Sequence, residues 1–270
     1  MKTVVNAAAY TAFLLLLVLL IPPSTVYAQA AAQAHPPYTI VLEDVQEVCL
    51  LGRADLDYFT HLLAPEGLYP TVQEGHAVLM VCAVDAVYGG TRYREAPLTV
   101  FTAREAGGSD RSGAFLLRAY NTSRFFAWVE RVRNHAPYYH ARIPRSYQHE
   151  HSFIQLICHG KPVLDAKMSG KASGAPAPNS LFEGPLQFPI ALAPRRTSQD
   201  PASAPSGEQM WARLEGPMRV YPFLPGEDTL RIGDASLDRF AALLQASHFE
   251  PIEWWLREKG KHSVTDLMPR

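Results

Sequence analysis

The chain has 270 residues, of which 47% are hydrophobic, and its 25 basic and 26 acidic side chains leave a formal net charge of −1. This length and apolar content allow one large or two small domains with a substantial core. The charge is nearly balanced, so no electrostatic footprint points to nucleic acid, and we expect no nucleic-acid partner.

The first thirty residues differ in composition from the rest of the chain. Lys2 precedes an apolar run over residues 7–21, and small residues follow at 28–30. This order is typical of a secretory signal peptide, and an apolar run of about 15 residues is short for a membrane span. We predict a signal peptide over residues 1–30 and a secreted or periplasmic protein. The alternative is an uncleaved N-terminal membrane anchor, which also places the domain outside the cytosol. We expect a membrane partner only in that case.

Residues 31–270 are predicted to form a single domain made mainly of strands. Strand patterns lie at 38–51, 76–88, 96–105, 113–120 and 181–192, with a hairpin around His159-Gly160. Helices are predicted at 53–64, 123–133 with Ser123 as N-cap, 236–246 and, as a closing helix, around 254–256. Long surface loops rich in Ala, Pro, Ser and Gly are expected near 169–180 and 194–208. Many strands with few short helices predict an antiparallel barrel or sandwich.

The three cysteines Cys49, Cys82 and Cys158 form no CxxC pair and are odd in number, so the sequence gives no zinc site and no disulfide framework. Small buried residues are the favoured interpretation, although one pair could oxidise in an export compartment. Asn121-Thr122-Ser123 is an acceptor sequence for N-glycosylation, which only a eukaryotic host would use.

The order of the segments resembles the acetoacetate decarboxylase superfamily over nearly the whole mature chain. The residues that carry the resemblance are GRADLDYFTHLLAPEGL (52–68), GGTRYREAPLTVF (89–101), the segment 120–137, HGKPVLDAKMSGK (159–171) and PLQFPIAL (185–192). The resemblance implies a mainly β fold with a few helices, an antiparallel barrel or cone with the active site in its interior. It also implies no cofactor, no metal and a possible homo-oligomer.

In decarboxylases of this family, a lysine that follows a proline forms a Schiff base with the β-keto acid, and a second lysine lowers the pKa of the first. Here Tyr138 and Tyr139 follow Pro137. Because a phenol cannot condense with a ketone, the resemblance implies that the lysine mechanism is lost at its usual position.

Glu95 falls on the family's active-site glutamate in a Tyr-x-Glu motif, with Tyr93 before it. The resemblance thus gives Glu95, Tyr138 and Tyr93 as candidate catalytic residues, and the residues around them suggest Tyr139, His140 and Lys167 as candidate ligand-binding residues. The simpler alternatives are an exposed strand glutamate, tyrosines that only pack, and a solvent-exposed lysine. The family's arginine on the first strand has no clear counterpart, since Val45 and Gln46 stand about there.

Three functions remain open at this point. The first is a lysine-independent enzyme that acts on a small keto, carboxylate or polyketide-like compound, by decarboxylation, aldol-type cyclisation, dehydration or tautomerisation, with Glu95 as acid or base. The second is a non-catalytic binding protein for a small apolar ligand. The third is a conventional decarboxylase with a relocated lysine such as Lys167.

His149-Glu150-His151 places two imidazoles on one face of an extended segment, which would suit zinc or iron. Its spacing matches no metal motif, and the resembling family needs no metal. A solvated polar turn is therefore the favoured interpretation, and no metal is predicted.

Overall fold

The computed structural model describes residues 37–149, 151–177, 180–189 and 208–269. Seven strands of these ranges form a closed barrel, because β15 pairs both with β12 and with β1. In order around the barrel they are β1 (Ile40–Ala54), β4 (His76–Tyr88), β5 (Thr91–Ala103), β6 (Gly113–Asn121), β11 (Ser180–Gln187), β12 (Glu208–Glu215) and β15 (Glu250–Val264). Neighbours are antiparallel except β6 and β11, which are parallel.

Short strands extend the barrel wall, and a second sheet lies beside it. The additions are β2 (Tyr69–Pro70), β3 (Val72–Gln73), β7 (Tyr138–His140), β10 (Ala175–Ala177), β13 (Met218–Pro222) and β16 (Met268–Pro269). The second sheet contains β14 (Thr229–Ile232), β9 (Lys161–Lys167) and β8 (Phe153–Cys158). The helices in the described ranges are α1 (Leu56–Leu63), α2 (Arg124–Arg133) and α3 (Arg239–Ala246).

Two apolar layers explain why β4 is hydrophobic along almost its whole length. One cluster draws side chains from all seven barrel strands and therefore fills the barrel interior, among them Val45, Met80, Phe101, Ala114, Phe182, Ala212 and Trp255. The other lies between the barrel's outer face, α1, α3 and the second sheet. Val81 belongs to the outer layer and its neighbour Cys82 to the interior, so both faces of β4 are buried.

Local signals in the sequence set several boundaries. Gly89 and Gly90, with φ of 55° and 78°, form the two-residue turn between β4 and β5, which requires positive φ. Asp55 and Ser123 accept hydrogen bonds from the first turns of α1 and α2, and the predicted Ser123 cap is confirmed. The predicted hairpin at His159-Gly160 is also confirmed, since it joins β8 to β9.

Other expectations are corrected or lie beyond the described ranges. The closing helix predicted around 254–256 is wrong: the segment belongs to β15, where Trp254 and Trp255 point to opposite layers with the period of a strand. The loop predicted near 169–180 contains the short strand β10. The loop near 194–208 falls almost entirely outside the described residues. Within the described ranges, no helix is long and apolar enough to cross a membrane.

The cysteines form one cross-strand disulfide. Cys49 on β1 and Cys82 on β4 are direct register partners and are bonded, while Cys158 is a buried free thiol. The bond closes a sequence separation of 33 residues and fixes two neighbouring barrel strands inside the barrel.

Candidate active site

A row of directly paired residues, all polar except one valine, crosses the barrel interior on adjoining strands. Glu95 on β5 lies opposite Val84 on one side and Asn121 on the other. Val84 in turn lies opposite Glu47, and Glu47 opposite Arg257. Directly paired residues share one face of a sheet, and Val84 belongs to the interior cluster, so the whole row faces inward.

Glu95 is held in this row by two hydrogen bonds. The Nδ2 amide of Asn121 donates to Oε1 at 2.9 Å, and the Tyr138 hydroxyl donates to Oε2 at 3.3 Å. Asn121 is itself fixed, since its Oδ1 accepts from the Ser123 amide at 2.7 Å. Tyr138 reaches Glu95 because β7 runs parallel to β6, with Tyr138 beside Ala119 on the inward face. The carboxyl group is thus oriented by residues of two strands, β6 and β7.

A second carboxyl group, Glu130 of α2, lies close enough for its charge to act on Glu95. Burial first, and the negative charge of Glu130 second, raise the pKa of Glu95 from 4.5 to about 8. Burial also raises the pKa of Glu130, whose Oε2 accepts a 2.8 Å hydrogen bond from Asn134 Nδ2. The negative charge of Glu130 therefore favours the protonated form of Glu95.

Tyrosine hydroxyls complete the site. Burial, followed by the charges of Glu95 and Glu130, raises the pKa of both Tyr93 and Tyr138 well above the usual value. Both hydroxyls therefore remain protonated and can donate hydrogen bonds to an acceptor. Phe126 of α2 packs edge-on against Tyr93 at a centroid distance of 5.0 Å, so α2 covers this side of the site.

The other predicted site residues lie elsewhere. Tyr139 points to the outer face, where the Arg118 guanidinium lies 3.9 Å from its ring centroid. His140 is an exposed residue. Partial desolvation of its ring, followed by the positive charge of Arg124, lowers its pKa. Lys167 is an exposed residue of the second sheet, 3.5 Å from Asp165. The structure therefore brings Glu95, Tyr93 and Tyr138 together but not Tyr139, His140 or Lys167.

The histidine motif is a polar surface turn. His149 and His151 are exposed, and His149 Nδ1 lies 3.5 Å from a Glu258 oxygen. Glu150 lies outside the described residues. Within the described ranges, the one group of three possible metal ligands is Glu47, Cys49 and Cys82, whose two thiols are joined in the disulfide.

Asn121, Glu130 and the Glu47–Arg257 pair were not predicted as site residues. Asn121 carried only the glycosylation signal, yet it is fully buried. A signal for Glu130 existed: Phe126 and Glu130 are four residues apart and so share one helix face. A carboxylate on the face of a short helix that packs inward is unusual, and it indicates a site.

Two surface pockets in the described part, of about 310 and 670 Å³, do not include this site. The smaller pocket lies on the outer side of the barrel rim and includes Asp85 and Arg92, and the larger includes Arg111 and Trp211. Geometry and protonation single out Glu95 instead. Two hydrogen-bond donors converge on its carboxyl group and its pKa is raised, and both features are typical of a reactive site.

No protein-family model and no curated protein matches the sequence. Solved structures do match. An acetoacetate decarboxylase structure is 13% identical with a TM-score of 0.56, covering 88% of this chain and 95% of that one. The acetoacetate decarboxylase of Legionella pneumophila subsp. pneumophila str. Philadelphia 1 is 10% identical with a TM-score of 0.54, covering 98% of this chain and 96% of that one.

The enduracididine biosynthesis enzyme MppR, complexed with pyruvate, is 14% identical with a TM-score of 0.55, covering 89% of this chain and 93% of that one. These neighbours are acetoacetate decarboxylase-like proteins, and the predicted acetoacetate decarboxylase-like β-barrel fold is confirmed.

Proposed function

We propose that this chain is an enzyme that moves a proton at the carbon beside the carbonyl of a small keto acid, without a Schiff base. The observation that carries the proposal is the Glu95 carboxyl group, held by Asn121 and Tyr138 inside the barrel with its pKa raised to about 8. At neutral pH this group is protonated and can act as a general acid.

Three residues of the site, Glu95, Tyr138 and Glu130, have direct roles in this reaction. Protonated Glu95 donates to the substrate's carbonyl oxygen, and the Tyr138 hydroxyl turns from Glu95 Oε2 to donate a second hydrogen bond to that oxygen. Ionised Glu130 accepts the proton from the adjacent carbon. The carbon–hydrogen bond breaks, its electron pair forms the carbon–carbon double bond of an enol, and the oxygen gains the proton of Glu95. The enol carbon then takes back the proton from Glu130, or attacks an aldehyde whose oxygen takes that proton. In either case the carbonyl double bond re-forms and the enol O–H proton returns to Glu95.

The positions of the lysines support chemistry without an imine. All five lysines in the described ranges are exposed: Lys161, Lys167, Lys171, Lys259 and Lys261. Lys2 lies outside those ranges. A Schiff-base lysine needs a dry pocket that lowers its pKa, and an exposed ammonium group keeps its charge.

The keto-acid substrate class is supported by a neighbour of the same fold. MppR has been solved with pyruvate and with the condensation product of pyruvate and imidazole 4-carboxaldehyde; the second structure is 15% identical with a TM-score of 0.52 and covers 86% of this chain and 88% of that one. Those ligands belong to MppR, and they favour a 2-oxo acid and an aldol-type condensation here by analogy of fold.

Export is part of the proposal. The apolar segment over residues 7–21 and the small residues at 28–30 have the pattern of a signal peptide. The Cys49–Cys82 disulfide agrees with an oxidising compartment such as the periplasm or the extracellular space. An uncleaved anchor would leave the domain on the same side of the membrane.

Deuterium exchange into pyruvate tests the proposal directly. In D2O, the full chain should accelerate the exchange of the methyl protons of pyruvate for deuterium. NMR measures this exchange as the loss of the methyl proton signal. Glu95→Gln should slow that exchange by roughly 10²- to 10⁴-fold, since it removes the general acid without changing the shape of the side chain. Glu250→Gln, at an exposed residue of β15, is the matched control and should exchange at the wild-type rate.

Two results would overturn the assignment. A borohydride-trapped adduct in the intact mass would mean that a lysine forms an imine. Saturable binding of pyruvate or acetoacetate without exchange or release of CO2 would favour a binding protein. The polar row around Glu95 argues against the sealed apolar cavity that a binder of apolar ligands needs.

A further inference from the structure

Helix α2 carries an apolar stripe on the face that points away from the barrel. Phe125, Trp128 and Val132 are 60%, 54% and 51% exposed. They stand three and four residues apart, which places them on one side of the helix. Phe125 and Trp128 contact each other at a ring-centroid distance of 6.3 Å, so the stripe is continuous. The opposite face is occupied, because Ala127 is buried and Phe126 packs on Tyr93.

The stripe extends onto the neighbouring β4–β5 hairpin. Tyr88 at its tip is 46% exposed. Phe126 links the two parts, with ring centroids 6.2 Å from Tyr88 and 5.8 Å from Phe125. We call Tyr88, Phe125, Trp128 and Val132 the α2 patch. Single exposed apolar residues are common, but a joined group with three aromatic rings marks an interaction surface.

The exposed charged side chains of helix α2 beside the α2 patch are all positive. Arg124, Arg131 and Arg133 are all exposed, and the helix's carboxylate, Glu130, is turned toward Glu95. The whole chain has a formal charge of −1, so this excess of positive charge is local. The surface therefore fits a partner that offers both an apolar layer and negative charge.

We propose that the α2 patch docks on an anionic lipid surface. Tryptophan, phenylalanine and tyrosine side chains insert at the boundary between head groups and acyl chains, and arginines bind the lipid phosphates. Helix α2 is already folded on the barrel, so docking requires no ordering of the helix. Docking through this patch requires neither the apolar segment over residues 7–21 nor activity at Glu95.

A fluorescent label on the full chain tests this surface apart from the N-terminal segment. Val132→Cys, labelled with an environment-sensitive fluorophore, reports on the patch. Ile252→Cys is the matched control: Ile252 is 43% exposed, on β15 at the end of the barrel away from the Glu95 row. The label is selective, because Cys49 and Cys82 are bonded and Cys158 is buried. Both variants contain the same first 36 residues.

We expect vesicles containing about 30% phosphatidylglycerol in phosphatidylcholine to shift the fluorescence emission of the label at residue 132 to shorter wavelength. The emission of the label at residue 252 should not shift. Phosphatidylcholine vesicles alone should give a shift at least tenfold weaker at the same lipid concentration. Substituting Arg124, Arg131 and Arg133 together by Gln, or adding 0.5 M salt (about a 4 Å Debye length), should remove most of the response.

Three outcomes would overturn the proposal. Equal shifts at residues 132 and 252 would mean non-specific adsorption, and equal shifts with neutral vesicles would remove the role of the arginines. A shift at 132 that grows with protein concentration in the absence of vesicles would assign the patch to contacts between copies of this chain.

Discussion

The side-chain amide of Asn121 donates a 2.9 Å hydrogen bond to Glu95 Oε1 from the strand directly beside it. Asn121 is also the first residue of an Asn-Thr-Ser acceptor sequence, but it is completely buried. The folded chain therefore uses this asparagine to orient a carboxyl group. An acceptor sequence describes only local residue types, whereas the role of Asn121 comes from its partner across the sheet.

The raised pKa of Glu95 makes stability depend on pH in a defined direction. Its pKa is about 8 in the folded chain and near 4.5 when unfolded, so between those values the folded state holds the extra proton. The contribution of Glu95 to the free energy of unfolding is fully present below pH 4.5 and is lost as the pH rises through 8. Because one pKa unit corresponds to about 1.4 kcal/mol, urea unfolding should show a loss of a few kcal/mol between pH 5 and pH 8.5.

Glu95→Gln isolates this contribution, because glutamine keeps the shape and cannot ionise. The variant should show a flatter stability profile over the same pH window, with the difference from wild type largest above pH 8. Glu250→Gln, at an exposed carboxylate, should keep the wild-type profile. A wild-type profile that is already flat would show that Glu95 ionises normally in the folded chain.

Tyr138 and Tyr139 are neighbours in sequence with opposite environments, and they make a matched pair of substitutions. Tyr138→Phe removes the hydroxyl that donates to Glu95 Oε2, and we expect the rate of pyruvate exchange to fall by about 10²-fold. The same change should raise the pH at which activity declines, since that hydrogen bond lowers the pKa of Glu95. Tyr139→Phe keeps the ring beside Arg118 and should leave both quantities unchanged.

A pH profile separates this role from simple packing. If Tyr138→Phe and Tyr139→Phe lower the rate equally and shift no pH midpoint, Tyr138 acts only by filling space.

The fold was predictable from the sequence where local signals were strong. The continuous apolar run at 76–88 forms β4, and the capped amphipathic run after Ser123 forms α2. The error at Trp254-Trp255 arose because two large aromatic residues in a row fit a helix or a strand equally well. Pairing of β15 with β1, about 200 residues away, decides between them, and that pairing leaves no local signal.

The site was predictable only in part. The resemblance selected Glu95 and Tyr138, and the structure places their side chains 3.3 Å apart. Glu130 was missed because its position depends on how α2 packs on the barrel. Lys167 lies away from Glu95 because β9 pairs with β8 and β14 in the second sheet. Sequence alternation assigns residues to faces of a strand but does not say which sheet the strand joins.

The Cys49–Cys82 disulfide gives a direct chemical prediction. Alkylation of the denatured, unreduced chain should add one group, on Cys158, and reduction should raise the number to three. Replacing Cys49 and Cys82 by alanine should lower the free energy of unfolding by about 4 kcal/mol, given the sequence separation of 33 residues. Three alkyl groups without reduction would contradict the bond.

The buried Glu47–Arg257 pair predicts a strongly non-additive mutant cycle. The two side chains are 3% and 1% exposed, and Arg257 Nε donates to Glu47 Oε2 at 3.1 Å. Glu47→Gln leaves a buried guanidinium without its counter-charge and should cost about 3–5 kcal/mol in urea unfolding. Replacing Glu47 by Leu and Arg257 by Met together should cost less than the single change, because both charges of the buried pair are then removed.

The exposed Arg53–Glu250 pair is the control for this cycle. Its side chains are 44% and 62% exposed, so Glu250→Gln should cost less than about 1 kcal/mol. If Glu47→Gln and Glu250→Gln lower the free energy of unfolding by similar amounts, water reaches the row of paired residues inside the barrel. In that case Glu95, two strands from Glu47 in the same row, would also be solvated, and its pKa would return toward 4.5. The ion-pair cycle therefore also tests the dry environment on which the proposed proton transfer depends.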